Sequence, residues 1–202
     1  MPEAYQRQGV LDHHHLDARI TDSRGDAGIA LCERRFRAKI NLRGKPAKPF
    51  LDAVTEALGV SPPKTPNTTA SAKDVTALWL GPDEWLVVGA PGSEDGLAAS
   101  LRTALDGQHY SVTDVTEGRT IIGLSGPHAR DVLMKGCPID IHPREFKTGD
   151  CAQSTLAKAN MILHQTSNDP SYDIYVERSF ASYLWDWLED ASLEYGLAVV
   201  RG

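Results

Sequence analysis

The sequence predicts an α+β fold: a pseudo-duplicated pair of subdomains with antiparallel sheets and flanking helices. Three observations carry that expectation. RAKINLRGKPAKPFL (37–51) aligns without a gap on RTIIGLSGPHARDVL (119–133), at an offset of 82 residues. Arg37/Arg119, Ile40/Ile122, Leu42/Leu124, Gly44/Gly126, Ala47/Ala129 and Leu51/Leu133 are identical, and Lys48/Arg130 keeps its charge. In each half a strand–Gly–helix unit is followed by strands and then a longer amphipathic helix. The strands are joined by short turns as often as by helices, which disfavours a parallel, doubly wound sheet.

The elements follow from the residues in order. The first 30 residues show little periodicity and many charges, so 1–35 reads as an N-terminal arm lying over something else. Phe36, Ala38, Ile40 and Leu42 alternate with Arg35, Arg37, Lys39, Asn41 and Arg43, the pattern of a half-buried strand with a basic outer face. Phe50, Leu51, Val54, Ala57 and Leu58 fall at helical spacing, and Gly59 is placed to end that helix. SPPKTPNTT (61–69) reads as a loop. Strands around 77–80 and 85–88 flank the turn Gly81-Pro82-Asp83-Glu84, and Ser93 precedes a helix carrying Leu97, Leu101 and Leu105.

The second half repeats the order. Strands near 110–115 and 119–124 lead into Gly126-Pro127, with Pro127 at the first position of a short helix. Strands near 151–156, 160–165 and 172–176 precede a last helix whose apolar stripe is Phe180, Tyr183, Leu184, Trp187, Leu188 and Ala191, capped by Ser179. The halves divide at about 36–109 and 110–202.

Composition narrows the function. The net charge of −6 disfavours bulk nucleic-acid binding. No run of roughly 18 apolar residues marks a membrane span, and the start lacks the apolar core of a secretory signal. The expected location is the cytoplasm. Cys32, Cys137 and Cys151 are too few and too far apart for a disulfide framework or a zinc knuckle.

Catalytic motifs are near misses. Gly123-Leu124-Ser125-Gly126-Pro127 approaches a nucleophile elbow, but proline stands at the final glycine, and His128 and Asp131 nearby do not make a triad by spacing. His13-His14-His15 are adjacent, and adjacent side chains diverge too far to chelate one ion. Asp83 and Glu84 are ordinary turn residues. Neither a dinucleotide-binding nor a phosphate-cradling glycine motif occurs. The sequence assigns no catalytic residue and no metal ligand.

Two features point to a partner. Residues 34–48 hold Arg34, Arg35, Arg37, Lys39, Arg43, Lys45 and Lys48 with no acid. Arg35, Arg37, Lys39 and Arg43 either protect an exposed sheet edge or face an anionic partner surface. Trp185 lies at the margin of the last helix's stripe, where it either anchors a partner or packs under a loop of its own chain.

FRAKINLRG (36–44), ALWLGPDEWLVVG (77–89), VTDVTEGRTIIGLSGPHARDVLMKGCPIDIHP (112–143), GDCAQSTLAKA (149–159) and SFASYLWDWLEDA (179–191) together resemble the gamma subunit of bacterial heterotetrameric sarcosine oxidase. The resemblance implies a complex of four subunits that oxidises the N-methyl group of sarcosine, yielding glycine, hydrogen peroxide and a one-carbon unit for tetrahydrofolate. It implies alpha, beta and delta subunits as partners. FAD, FMN, NAD and tetrahydrofolate belong to those subunits, zinc to delta, and no cofactor to this chain. The implied fold over 36–202 is the folate-binding region of the glycine-cleavage T-protein, two swapped α+β subdomains. A structural subunit and an independent folate-dependent one-carbon transferase are the two readings this leaves open.

Overall fold

A computed structural model describes residues 7–202; of the expected arm, residues 1–6 lie outside the described residues. The elements in chain order are β1 (Ile20–Thr21), β2 (Ile29–Glu33), β3 (Arg37–Gly44), α1 (Lys48–Leu58), β4 (Thr69–Ala72), β5 (Val75–Gly81), β6 (Glu84–Pro91), α2 (Glu94–Ala104), β7 (Tyr110–Asp114), β8 (Arg119–Ser125), α3 (Ala129–Met134), β9 (Cys151–Leu156), β10 (Ala159–Ser167), β11 (Ser171–Glu177), α4 (Ala181–Ser192) and β12 (Leu197–Val200). They form a five-stranded sheet ordered β4-β5-β6-β3-β7 and a seven-stranded sheet ordered β1-β12-β2-β8-β11-β10-β9. All pairings are antiparallel except β1 with β12 and β12 with β2.

The duplication is real in topology. Each half runs strand, helix, three strands, helix, strand, and β4-β5-β6-β3 repeats as β9-β10-β11-β8. Arg37 and Arg119 open β3 and β8, and Gly44 and Gly126 stand where those strands turn toward α1 and α3. The halves also exchange a strand. β2 precedes β3 in sequence but pairs with β8, whereas β7 precedes β8 but pairs with β3. The registers correspond, with Leu31 opposite Leu124 and Val112 opposite Leu42.

That exchange corrects the boundaries read from the sequence. The segment taken as an arm supplies β2, buried along its whole length, and Leu11 and Leu16 are 0% and 3% exposed in the core beside α4. Several of the segment's charged groups are used internally. Glu33, buried, accepts the backbone N–H of Val10 and Leu11, the Thr120 hydroxyl, and the Arg35 guanidinium. Likewise β7, assigned by sequence to the second half, completes the first sheet.

The two sheets pack face to face between outer layers of helix. Ile40, Leu42, Trp85 and Val87 meet Phe50, Val54, Leu58, Ala98 and Leu101 of α1 and α2. Ile122, Leu124, Leu163, Ile174 and Val176 meet α3 and α4. Between the sheets, Leu78, Leu86 and Val88 meet Ile121, Cys151, Ile162 and Tyr175. Strands such as β6 and β8 are therefore buried on both faces, and their sequences read as continuous apolar runs.

Local signals hold at some ends and shift at others. Gly59 adopts φ 71° and returns its N–H to Thr55 O. Ser93 stands at the start of α2, but its hydroxyl donates back to Ala90 O. α3 begins at Ala129 and α4 at Ala181, so Pro127 and Ser179 both lie ahead of the helices they were expected to start. β4 arises at the end of the stretch read as a loop. The buried stripe of α4 is Ala181, Leu184, Trp185, Leu188, Ala191 and Ser192, rotated from the expected one, and Phe180 and Tyr183 are exposed.

Candidate functional site

Of the residues expected to meet a partner, on the basic strand and separately at Trp185, several are held inside the chain. β3 is an interior strand, so the edge-protection reading fails as well. Arg35 is held within the chain by Glu33, Asp12 and Asp17 at 3.1–3.2 Å. Lys39 is 2% exposed, and its ammonium donates to Arg37 O at 2.6 Å. Arg43 is exposed near Glu84. Arg37 lines a cavity between the sheets. The face that alternation marks as outward is the one the second sheet covers.

Trp185 is 0% exposed, which corrects its assignment to the margin. Leu11 and Leu16 join its cluster, the His14 ring lies 6.3 Å away, and its indole N–H donates to Glu189 at 2.9 Å. It packs under its own chain's N-terminal segment. Of the His13–His15 run, His14 lies against Trp185 and His13 bonds Ser182 of α4 at 2.8 Å, and among the described residues no cluster of three His, Cys, Asp or Glu could hold a metal ion.

Burial pushes the Lys39 ammonium down to about 8, with nearby Glu117 opposing the shift. The unfolded lysine keeps its ordinary value of 10.5. The charged form is therefore held in the fold at a cost that is full below pH 8 and fades as pH rises toward 10.5. Lys39→Met is expected to raise Tm at pH 7, with the gain shrinking between pH 8 and pH 10.5 in parallel thermal melts.

The densest polar chemistry lies elsewhere, in a 350 Å³ cavity between the sheets. Register aligns Cys151, His164, Asp173, Gly123 and Cys32 across β9, β10, β11, β8 and β2, all on the face toward the first sheet. Arg34, following β2, reaches over Gly123 to bond Asp173 at 2.5 Å through Nε. Gly123 makes room for the Cys32 sulfur and for Arg34, since a Cβ there would lie 2.5 Å from Cys32 Sγ and 3.4 Å from Arg34 Nε. His164 Nε2 lies 3.5 Å from Thr69 Oγ1, whose own proton goes to Gly149 O. This leaves the His164 proton on Nε2 and its buried Nδ1 without a partner. Burial lowers the His164 pKa, so the ring is neutral at pH 7.

A Cys–His–Asp row invites comparison with a nucleophilic relay, but Cys151 is not activated. Its single thiol proton faces the carbonyls of Thr68 and Trp79, 3.4 and 3.6 Å from the sulfur, and burial pushes the thiol up to about 12. The near miss at Ser125 ends similarly: His128 pairs with Asp131 at 2.8 Å and stacks on Tyr195, with no bond to Ser125 among the described residues.

Residues 43–194 match the model of the "Sarcosine oxidase, gamma subunit" family. The chain belongs to this family. Curated gamma subunits of sarcosine oxidase share its length: the protein from Arthrobacter sp is 34% identical over 187 residues, covering 92% of this chain and 91% of its own. That from Corynebacterium sp. (strain P-1) is 35% identical over 182 residues, covering 90% and 88%. Among solved structures, a chain of the heterotetrameric sarcosine oxidase from Corynebacterium sp. U-96 superposes with a TM-score of 0.83 at 30% identity, over 94% of this chain and 96% of that one. The glycine-cleavage aminomethyltransferase T from Bartonella henselae shares the fold at TM-score 0.62 and 17% identity, over 95% of this chain and 51% of its own. The resemblance seen in LWLGPDEWL and KGCPIDIHP thus holds for family and fold.

For this gamma-subunit family member, His164 and Asp173 were not singled out in the sequence, and Arg34 was named only as part of the basic run 34–48. The available signal was a charged residue inside otherwise apolar strand runs, His164 after Met161-Ile162-Leu163 and Asp173 between Tyr172 and Ile174. Nothing in one strand says which other strand's charge it meets.

Proposed function

We propose that this chain is the non-catalytic gamma subunit of a cytoplasmic heterotetrameric sarcosine oxidase, with alpha, beta and delta subunits as partners. The complex demethylates sarcosine oxidatively to glycine, with hydrogen peroxide and a one-carbon unit for tetrahydrofolate as the other products. FAD, FMN, NAD and tetrahydrofolate reside in the other subunits. The observation that carries the reading is the end-to-end correspondence with a chain of the Corynebacterium sp. U-96 complex. The sealed thiol of Cys151 supports a structural role.

With Trp185 and Lys39 buried, the contact surface we propose includes Met134 and Leu193, 66% and 71% exposed. They sit at the ends of α3 and α4, which Lys135 ties together through Ala191 O and Glu194. The test is co-expression of the tagged chain with the other three subunits. Co-purification is expected, and Met134→Glu with Leu193→Glu should reduce it several-fold. The chain alone should be colourless and release no peroxide from sarcosine. Stoichiometric flavin on the isolated chain, or turnover without partners, would refute the reading.

A further inference from the structure

The internal repeat provides a control for every position in the sheets. Through the corresponding registers, the row Cys151–His164–Asp173–Gly123 of the second sheet matches Thr69–Leu78–Leu86–Asn41 of the first. Leu78 and Leu86 are both 0% exposed in the layer between the sheets. The fold therefore accepts an apolar pair at these two places. In the second repeat it carries a buried histidine and a carboxylate instead, with Arg34 brought in by the exchanged strand. Burying such groups is costly unless each is satisfied, and His164 Nδ1 is not.

The same cavity has surplus positive charge. Arg34 spends only Nε on Asp173, and among the described residues its two terminal nitrogens donate to no protein acceptor. Arg37, entering from the first sheet, makes one long bond, 3.5 Å to Asp74 O. Among the described residues that line the cavity, one carboxylate, Asp173, stands against these two guanidiniums. Hydroxyls of Thr69, Ser71 and Thr76 line the wall. Planar guanidiniums with free terminal N–H groups match carboxylate geometry, while an unprotonated Nδ1 accepts a hydrogen bond.

We propose that this cavity binds a small carboxylate bearing a hydrogen-bond donor on the adjacent carbon, a 2-hydroxy or 2-amino acid, with its carboxylate on Arg34 and Arg37 and its donor toward His164. The site is independent of the assembly reading, because binding is measured on the chain itself.

Thermal melts of the full chain with acetate, glycolate, glycine and inorganic phosphate test it, since a ligand of the folded state alone raises Tm with concentration. Glycolate or glycine should raise Tm at concentrations at least tenfold below those acetate needs, and the one that does identifies the donor as hydroxyl or ammonium. Arg37→Gln should weaken that binding at least tenfold. The double substitution His164→Leu and Asp173→Leu, which copies the first repeat, should fold and lose the response. If it does not fold, Arg37→Gln still decides. No shift with any carboxylate, a shift unchanged in Arg37→Gln, or phosphate acting as strongly as glycolate and glycine would each overturn the proposal.

Discussion

Replacing Trp185 with alanine will destabilise the isolated chain by about 3–5 kcal/mol, the range for removing a large aromatic side chain from a packed core. The residue is 0% exposed and lies where α4, the N-terminal turns carrying Leu11 and Leu16, and the second sheet's core converge. Little nearby can collapse into the space, because the neighbours sit on separate elements. The substitution also leaves Glu189 without the indole N–H, although Arg19 still pairs with that carboxylate. For a chain of this size the loss corresponds to a fall in Tm on the order of 10 °C. Trp185→Phe retains most of the packing and should recover more than half of it. An alanine variant that melts like the parent would show that the N-terminal segment does not pack as described.

Gly126→Ala is expected to be nearly as damaging, about 2–4 kcal/mol from backbone strain and overpacking together. Its φ is +119°, a conformation that residues with a Cβ rarely adopt. A Cβ would also lie 2.3 Å from the carbonyl oxygen of Gly28, which is backbone and has no rotamer to change. Gly28 leads into β2, so the strain falls on the strand exchanged between the halves. Gly59 is the matched control: φ is +71° and a Cβ there would meet nothing within 4 Å, so Gly59→Ala should cost only about 1 kcal/mol. Denaturant titration of both variants would check the ratio; equal losses would mean that the contact with Gly28 is not tight.

The strand–Gly–helix units at Gly44 and Gly126 are legible in the sequence because a glycine that recurs after an alternating strand marks a turn out of the sheet. The order of strands and helices in both halves is legible for a related reason: period-2 and period-3.6 patterns report local geometry. Lys39 and Trp185 are misplaced by sequence for one shared cause. Periodicity divides an element into two faces, yet a face is solvent or core according to what another element lays upon it. The second sheet covers the basic side of β3, and the N-terminal turns cover Trp185 on α4.

By itself the sequence determined the α+β class, the duplication, the family resemblance and the lack of a recognisable catalytic motif. Only the tertiary structure decided that β2 and β7 change places, that the supposed arm supplies an interior strand, and that Arg34, His164 and Asp173 meet around Gly123. Pairing between strands depends on contacts across more than a hundred residues, as between Arg34 and Asp173. Each strand's own sequence satisfies its backbone equally well against several neighbours. The choice among them is made by the packing of whole sheets, through a register that no single segment contains.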